Sequence, residues 1–149
     1  MFDTIIGLPI HPLIVHAVVV LLPLGALGII AIALRPAWRL KYGWLVLAIT
    51  VVATAAVPVA KLSGQQFAKR IGLTPQPHAR LGAQLIWFAL PLLVLAVALV
   101  LGDRRWSRRA VSIVAALSVV AAVATTVQVV RIGHSGAKAA WGGFVSSNK

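Results

Sequence analysis

Four stretches of this sequence are apolar over a length that only a lipid bilayer explains, and nothing else in the chain restricts its fold as much. They cover residues 12–34, 42–60, 81–101 and 110–130. A hydrocarbon core about 30 Å thick takes about 20 helical residues to cross. No water is present there to satisfy backbone N–H and C=O groups, so each stretch must be helical. The expected fold is all-α: a four-transmembrane-helix bundle forming one integral membrane domain over residues 1–149, divisible into two helical hairpins. Composition agrees. The chain is 60% hydrophobic and 11% charged, where soluble domains carry about 25% charged residues.

Prolines and small residues fit this frame. Pro12 opens the first span, where its missing N–H costs nothing. Pro23, Pro58 and Pro91 lie inside spans and bend them, which a bundle tolerates. Gly25, Gly28, Ala48, Ala53, Ala56, Ala121 and Ala122 are small enough for close helix approach.

The formal net charge is +12, from 14 Lys and Arg against two acidic residues, Asp3 and Asp103. These cations fall between the apolar runs, at the level of lipid head groups. They leave no basic surface for nucleic acid, and the lipid bilayer is the expected partner. The absence of cysteine removes disulfides, thiol catalysis and iron–sulfur ligation. The first basic residue is Arg35, behind the first apolar run. That run therefore reads as a permanent span, not a cleaved signal, which needs a basic start. Residues 35–41 and 103–109 form short, densely basic loops, whereas residues 61–80 form a longer loop containing Gly64, Gly72, Pro75 and Pro77. The positive-inside rule puts the short loops in the cytoplasm and both termini outside.

His11 and His16 open the first span, His78 precedes the third and His134 follows the fourth. With four spans, all four lie on one side whichever way the chain inserts. Gln84 and Gln128 lie at similar depth. Thr125, Gln128, Arg131 and His134 recur every three residues, along one face of a continuing helix. Polar groups inside membranes are costly and mark function. Histidine ligates metals and b-type haem. The candidate cofactor site is therefore His16, His78, His134, His11, Arg131, Gln84 and Gln128, with His16, His78 and His134 as metal ligands and Arg131 available to a haem propionate. The expected cofactor is haem b or a transition metal ion, and the expected role is electron transfer or metal handling, with a redox or membrane protein as partner.

Other readings stand beside this one. A pH-sensing or proton role uses the same histidines. A non-enzymatic scaffold or accessory subunit would use them for helix-end hydrogen bonds, with Gly133-His134-Ser135-Gly136 ending the last helix. Transport is disfavoured, since no interrupted span is evident and no carboxylate lies inside a span. The chain shows no Ser–His–Asp set, P-loop or HExxH motif, so independent catalysis is not expected.

The opening His11-Pro12-Leu13-Ile14-Val15-His16, followed by Pro23, resembles the HPxxVHxP-type start of a family of small bacterial four-helix membrane proteins known as a domain of unknown function. Ser63-Gly64 after the second span, His78 heading the third and Arg131-Ile132-Gly133-His134-Ser135-Gly136, like an RxGHxG closing motif, extend the resemblance over essentially the whole chain. The chain departs from the pattern at Ala17 and Val18, where relatives often carry an aromatic and a proline. The resemblance implies four spans, an important histidine side and a bacterial inner (plasma) membrane. The joining of some relatives to cytochrome-like domains adds weight to haem.

Overall fold

The computed structural model describes residues 4–5, 8–72, 76–102 and 105–146. Five helices make up the fold: α1 (Ile10–Leu34), α2 (Pro36–Ile71), α3 (Gln76–Gln84), α4 (Ile86–Gly102) and α5 (Arg108–Ser146). Ahead of them, Thr4–Ile5 and Leu8–Pro9 pair as a two-residue antiparallel ladder, too short to form a layer. Four segments are long and apolar enough to cross a membrane: His11–Leu34, Pro36–Arg70, Pro77–Gly102 and Arg108–Lys138.

The expected bundle is present. α1 packs against α2 and α5, and α4 packs against the same two. The helices thus form a four-cornered arrangement with α1 and α4 on one diagonal and α2 and α5 on the other. A single residue, Arg35, joins α1 to α2. It is extended (φ −125°, ψ 96°), as the residue before a proline must be, and Pro36 starts α2 where no N–H is required. α5 starts on Ser107, whose hydroxyl accepts the Ala110 N–H at 3.3 Å.

Glycines set the closest approach between helices. A Cβ at Gly25 would stand 3.0 Å from Thr50 Oγ1, and one at Gly28 would stand 2.9 Å from Val46 Cγ2. The backbones of α1 and α2 therefore meet at a distance only small residues allow, the membrane substitute for a hydrophobic drive between helices. The core is a column of fully buried Leu22, Ala26, Ile29, Ile32, Leu92, Ala96 and Leu99. It runs along α1 and α4, across the bundle's interior.

Three expectations need correction. Residues 61–71 are not loop but the last three turns of α2. That stretch holds no proline, and the helix runs until Gly72 takes a left-handed conformation (φ 66°) as its C-cap. Nor does Gly133-His134-Ser135-Gly136 end a helix, because α5 continues to Ser146. The third span, expected to be uninterrupted, breaks at Leu85 between α3 and α4. There the Leu85 N–H bonds to the Gly82 carbonyl at 3.2 Å, one residue tighter than an α-helix.

Candidate functional site

The break at Leu85 is held from the neighbouring helix. The Gln128 side chain, 2% exposed on α5, donates from Nε2 to the Leu81 carbonyl at 3.1 Å. One turn away, the Thr125 hydroxyl lies 3.2 Å from the Phe88 carbonyl and 2.7 Å from that of Ala121. A buried carbonyl needs a partner within the membrane, and α5 supplies it. Arg131 Nη1 reaches Gln128 Oε1 at 3.4 Å, so the row read along this helix is real, with Gln128 inside and Arg131 outside.

Above this layer, on the histidine side, lies a cavity of about 610 Å³ bounded by α1, α2, α3 and α5. Its floor is apolar and buried: Val18, Val57, Leu85, Val129 and Ile132. Two histidines, His11 and His78, sit on its wall with Lys61, Gln65 and Phe67. They are near enough for charges on the two rings to oppose each other.

Each imidazole is anchored in the same manner. His11 Nδ1 lies 3.1 Å from Ser63 Oγ, and that hydroxyl donates to the Ala60 carbonyl at 3.1 Å. Its single proton is thereby used, so the Ser63 oxygen accepts from His11 Nδ1–H. His78 Nδ1 lies 3.2 Å from Ser135 Oγ and 3.3 Å from the Ile132 carbonyl, which can only accept, while Ser135 donates to the same carbonyl at 2.8 Å. With Ser63 spending its proton on Ala60 and with Ile132 able only to accept, the Nδ1–H tautomer suits the partners of both rings, and a neutral ring so held keeps a bare lone pair on Nε2. A glycine follows each serine and lies against the ring. A Cβ would come within 2.8 Å of His11 Cε1 at Gly64 and 3.1 Å of His78 Cε1 at Gly136. Phe67 stacks on His11, with centroids 5.8 Å apart and planes inclined by 27°.

The remaining candidates are placed differently. His16 is exposed on α1, outside the cavity wall, with Nδ1 donating to the Pro12 carbonyl at 2.6 Å. His134 and Gln84 are exposed and also absent from the wall. Gln128 and Arg131 belong to the layer beneath. Among the described residues, no three His, Cys, Asp or Glu side chains come together as a metal ion would require, so His16, His78 and His134 do not converge. The cavity pairs His11 with His78 instead.

The sequence did hold a signal for this pair. His11 with Ser63-Gly64 and His78 with Ser135-Gly136 place the same three residue types at the same two ends of successive hairpins. Ser63, Ser135, Gly64 and Gly136 have functions in that pattern which composition and helical periodicity do not disclose.

No curated protein and no solved structure is similar to the chain. Residues 7–149 match the family described as predicted membrane protein, DUF2231. With four membrane-crossing helices and a match over nearly its whole length, the chain belongs to the DUF2231 family of membrane proteins.

Proposed function

We propose that the protein binds haem b through Nε2 of His11 and His78 and serves electron transfer. The carrying observation is the shared anchoring of the two rings. Each spends its Nδ1 proton on a serine of its own hairpin, which orients the imidazole and leaves Nε2 as a ligand atom. Metal-ligating histidines characteristically donate the other ring N–H in this way. A pocket built to hydrogen-bond a carbonyl-bearing ligand would need Nε2–H instead.

The ligand count favours haem over a naked ion. A porphyrin brings four nitrogens and needs only axial imidazoles from the protein, whereas a bare transition metal ion asks for three or four protein ligands. A cavity of about 610 Å³ with an apolar floor lies within the usual range for organic cofactors, about 300–1,000 Å³. Lys61 on its wall offers a cation to a propionate, in place of Arg131. The dense basic loops at the opposite end support a bacterial plasma-membrane location with the cavity and both termini extracytoplasmic.

Absorption spectroscopy on protein produced with haem supplied tests this reading. A Soret band should be present in the wild type, be lost or strongly altered in His11→Ala and His78→Ala, and persist in His16→Ala and His134→Ala. Wild-type protein without a Soret band would refute it. A second reading, a scaffold or accessory subunit without cofactor, draws on the fact that both rings already have protein partners. It expects the same two variants to lower thermal stability with no spectral consequence.

A further inference from the structure

We infer that the face surrounding the cavity mouth docks the acidic surface of a water-soluble protein. Helix length carries the inference. α2 has 36 residues and α5 has 39, about 54 and 58 Å of rise, against a hydrocarbon core of about 30 Å. The excess lies mainly on one side. Away from the histidines, α2 begins six residues before Tyr42 and α5 begins two residues before Ala110. On the histidine side, α2 continues past Lys61 to Ile71 and α5 past Val130 to Ser146.

Lys69 stands eight residues beyond Lys61, and Lys138 eight beyond Val130, which is about 12 Å of helix rise in each case. A head-group layer is about 5–7 Å deep. These two exposed lysines therefore stand clear of the lipid, in water. Lys61, Arg80 and Arg131, also exposed, lie lower, closer to the membrane. Of the chain's two acidic residues, Asp103 belongs to the loop at the opposite end and Asp3 lies outside the described residues, so the described side chains of this face include no carboxylate. An excess of positive charge around a mouth steers and orients a partner of the other sign.

The opposite end is basic at a different depth. The Arg35 guanidinium lies 4.7 Å from the Trp38 ring and the Lys41 ammonium 5.2 Å from that of Tyr42. Arg108 and Arg109 directly precede the fourth apolar run, and Trp106 packs on Gly102. Aromatic rings of this kind settle at the membrane interface, which sets those cations level with lipid phosphates. Lipid is thus the counterpart of that end, and a soluble acidic protein that of the histidine end. The inference goes beyond the cofactor reading and does not depend on it.

The test uses the full chain in nanodiscs of zwitterionic phosphatidylcholine, with a twenty-residue polyglutamate peptide as probe. Saturable binding is expected, weakening at least about tenfold between low and physiological ionic strength. Lys69→Gln/Lys138→Gln should weaken it at least about fivefold, and Arg105→Gln/Arg109→Gln, which removes the same charge, less than about twofold. Binding should also survive, within a few-fold, when phosphatidylglycerol is added to the discs. Equal losses in the two double variants would overturn the inference. So would abolition by phosphatidylglycerol, which would reassign the histidine-side cations to the lipid surface. Circular dichroism confirms that each variant is folded, and the Soret band reports the cofactor reading separately.

Discussion

Adding one methyl group at Gly64 tests whether the His11 imidazole truly rests against α2. The Cβ of Gly64→Ala would lie 2.8 Å from His11 Cε1, and ordinary contact begins near 3.4 Å. The ring must then retreat from α2 by about 0.6 Å, which disturbs its stacking with Phe67 and stretches its 3.1 Å bond to Ser63, both on that helix, toward the limit for a hydrogen bond. Overpacking costs about 1–3 kcal/mol and the lost bond about 0.5–1.5 kcal/mol. Replacing a helical glycine by alanine returns about 1 kcal/mol. The expected net loss is about 0.5–3.5 kcal/mol. Gly136→Ala asks His78 to move only about 0.3 Å from a starting 3.1 Å, so it should be near neutral. Gly133, with nothing within 4 Å of its Cβ position, should gain up to about 1 kcal/mol as alanine. Sodium dodecyl sulfate titration of the three variants, followed by far-ultraviolet circular dichroism, should rank them Gly133→Ala, Gly136→Ala, Gly64→Ala from most to least stable. Gly64→Ala as stable as Gly133→Ala would refute the packing of His11 on α2.

Two further outcomes follow from the same geometry. Gln128→Leu removes the donor to the Leu81 carbonyl and should destabilise the protein by about 1–3 kcal/mol, with amide hydrogen exchange accelerated in α3 more than in α1; unchanged exchange in α3 would show that Gln128 does not hold the break. The chain has no cysteine, so Ala137→Cys should react with a membrane-impermeant maleimide in intact spheroplasts while Ser107→Cys reacts only after lysis. The reverse pattern would invert the proposed orientation.

The bundle was legible because a bilayer admits so few structures: length and hydropathy alone specify helices there. The helix ends were not legible, since beyond the membrane propensity and packing decide. Residues 61–71 contain glycine but no proline, and Gly64 is tolerated in the helix because His11 needs its missing Cβ. The break at Leu85 could not be read either, since the residue that stabilises it, Gln128, is supplied by another helix. Among the histidines the sequence indicates depth but not azimuth. By depth alone His16, one turn inside the first span, is better placed than His11. The two are five residues apart, about 140° around α1, so only one can face the interior. The structure turns His11 inward, toward Ser63, and His16 outward.

The cavity is best understood as a product of two hairpins whose parts follow the same order. In the first, the histidine heads α1 and the Ser-Gly pair lies near the end of α2. In the second, the histidine heads α3, which leads into α4, and the Ser-Gly pair lies on α5. Exchanging α1 with α4 and α2 with α5 pairs the α1–α2 contact with α4–α5 and the α1–α5 contact with α2–α4, the four major interfaces present. The same exchange pairs His11 with His78 and Gly64 with Gly136, which have matching contacts. Each hairpin satisfies its own histidine internally, at Nδ1, so neither ring depends on the other hairpin for its orientation. The wall, however, draws on α1, α2, α3 and α5, and no single hairpin supplies it. His11 and His78 thus face one cavity with matching anchors, whereas His16, bonded to the Pro12 carbonyl, and His134 stay outside it. The correspondence ends at Leu85, where only the second hairpin is broken. His78 is therefore carried on a nine-residue helix held by contacts with α5, whereas His11 is carried on a continuous span, and the two rings differ in restraint though not in bonding.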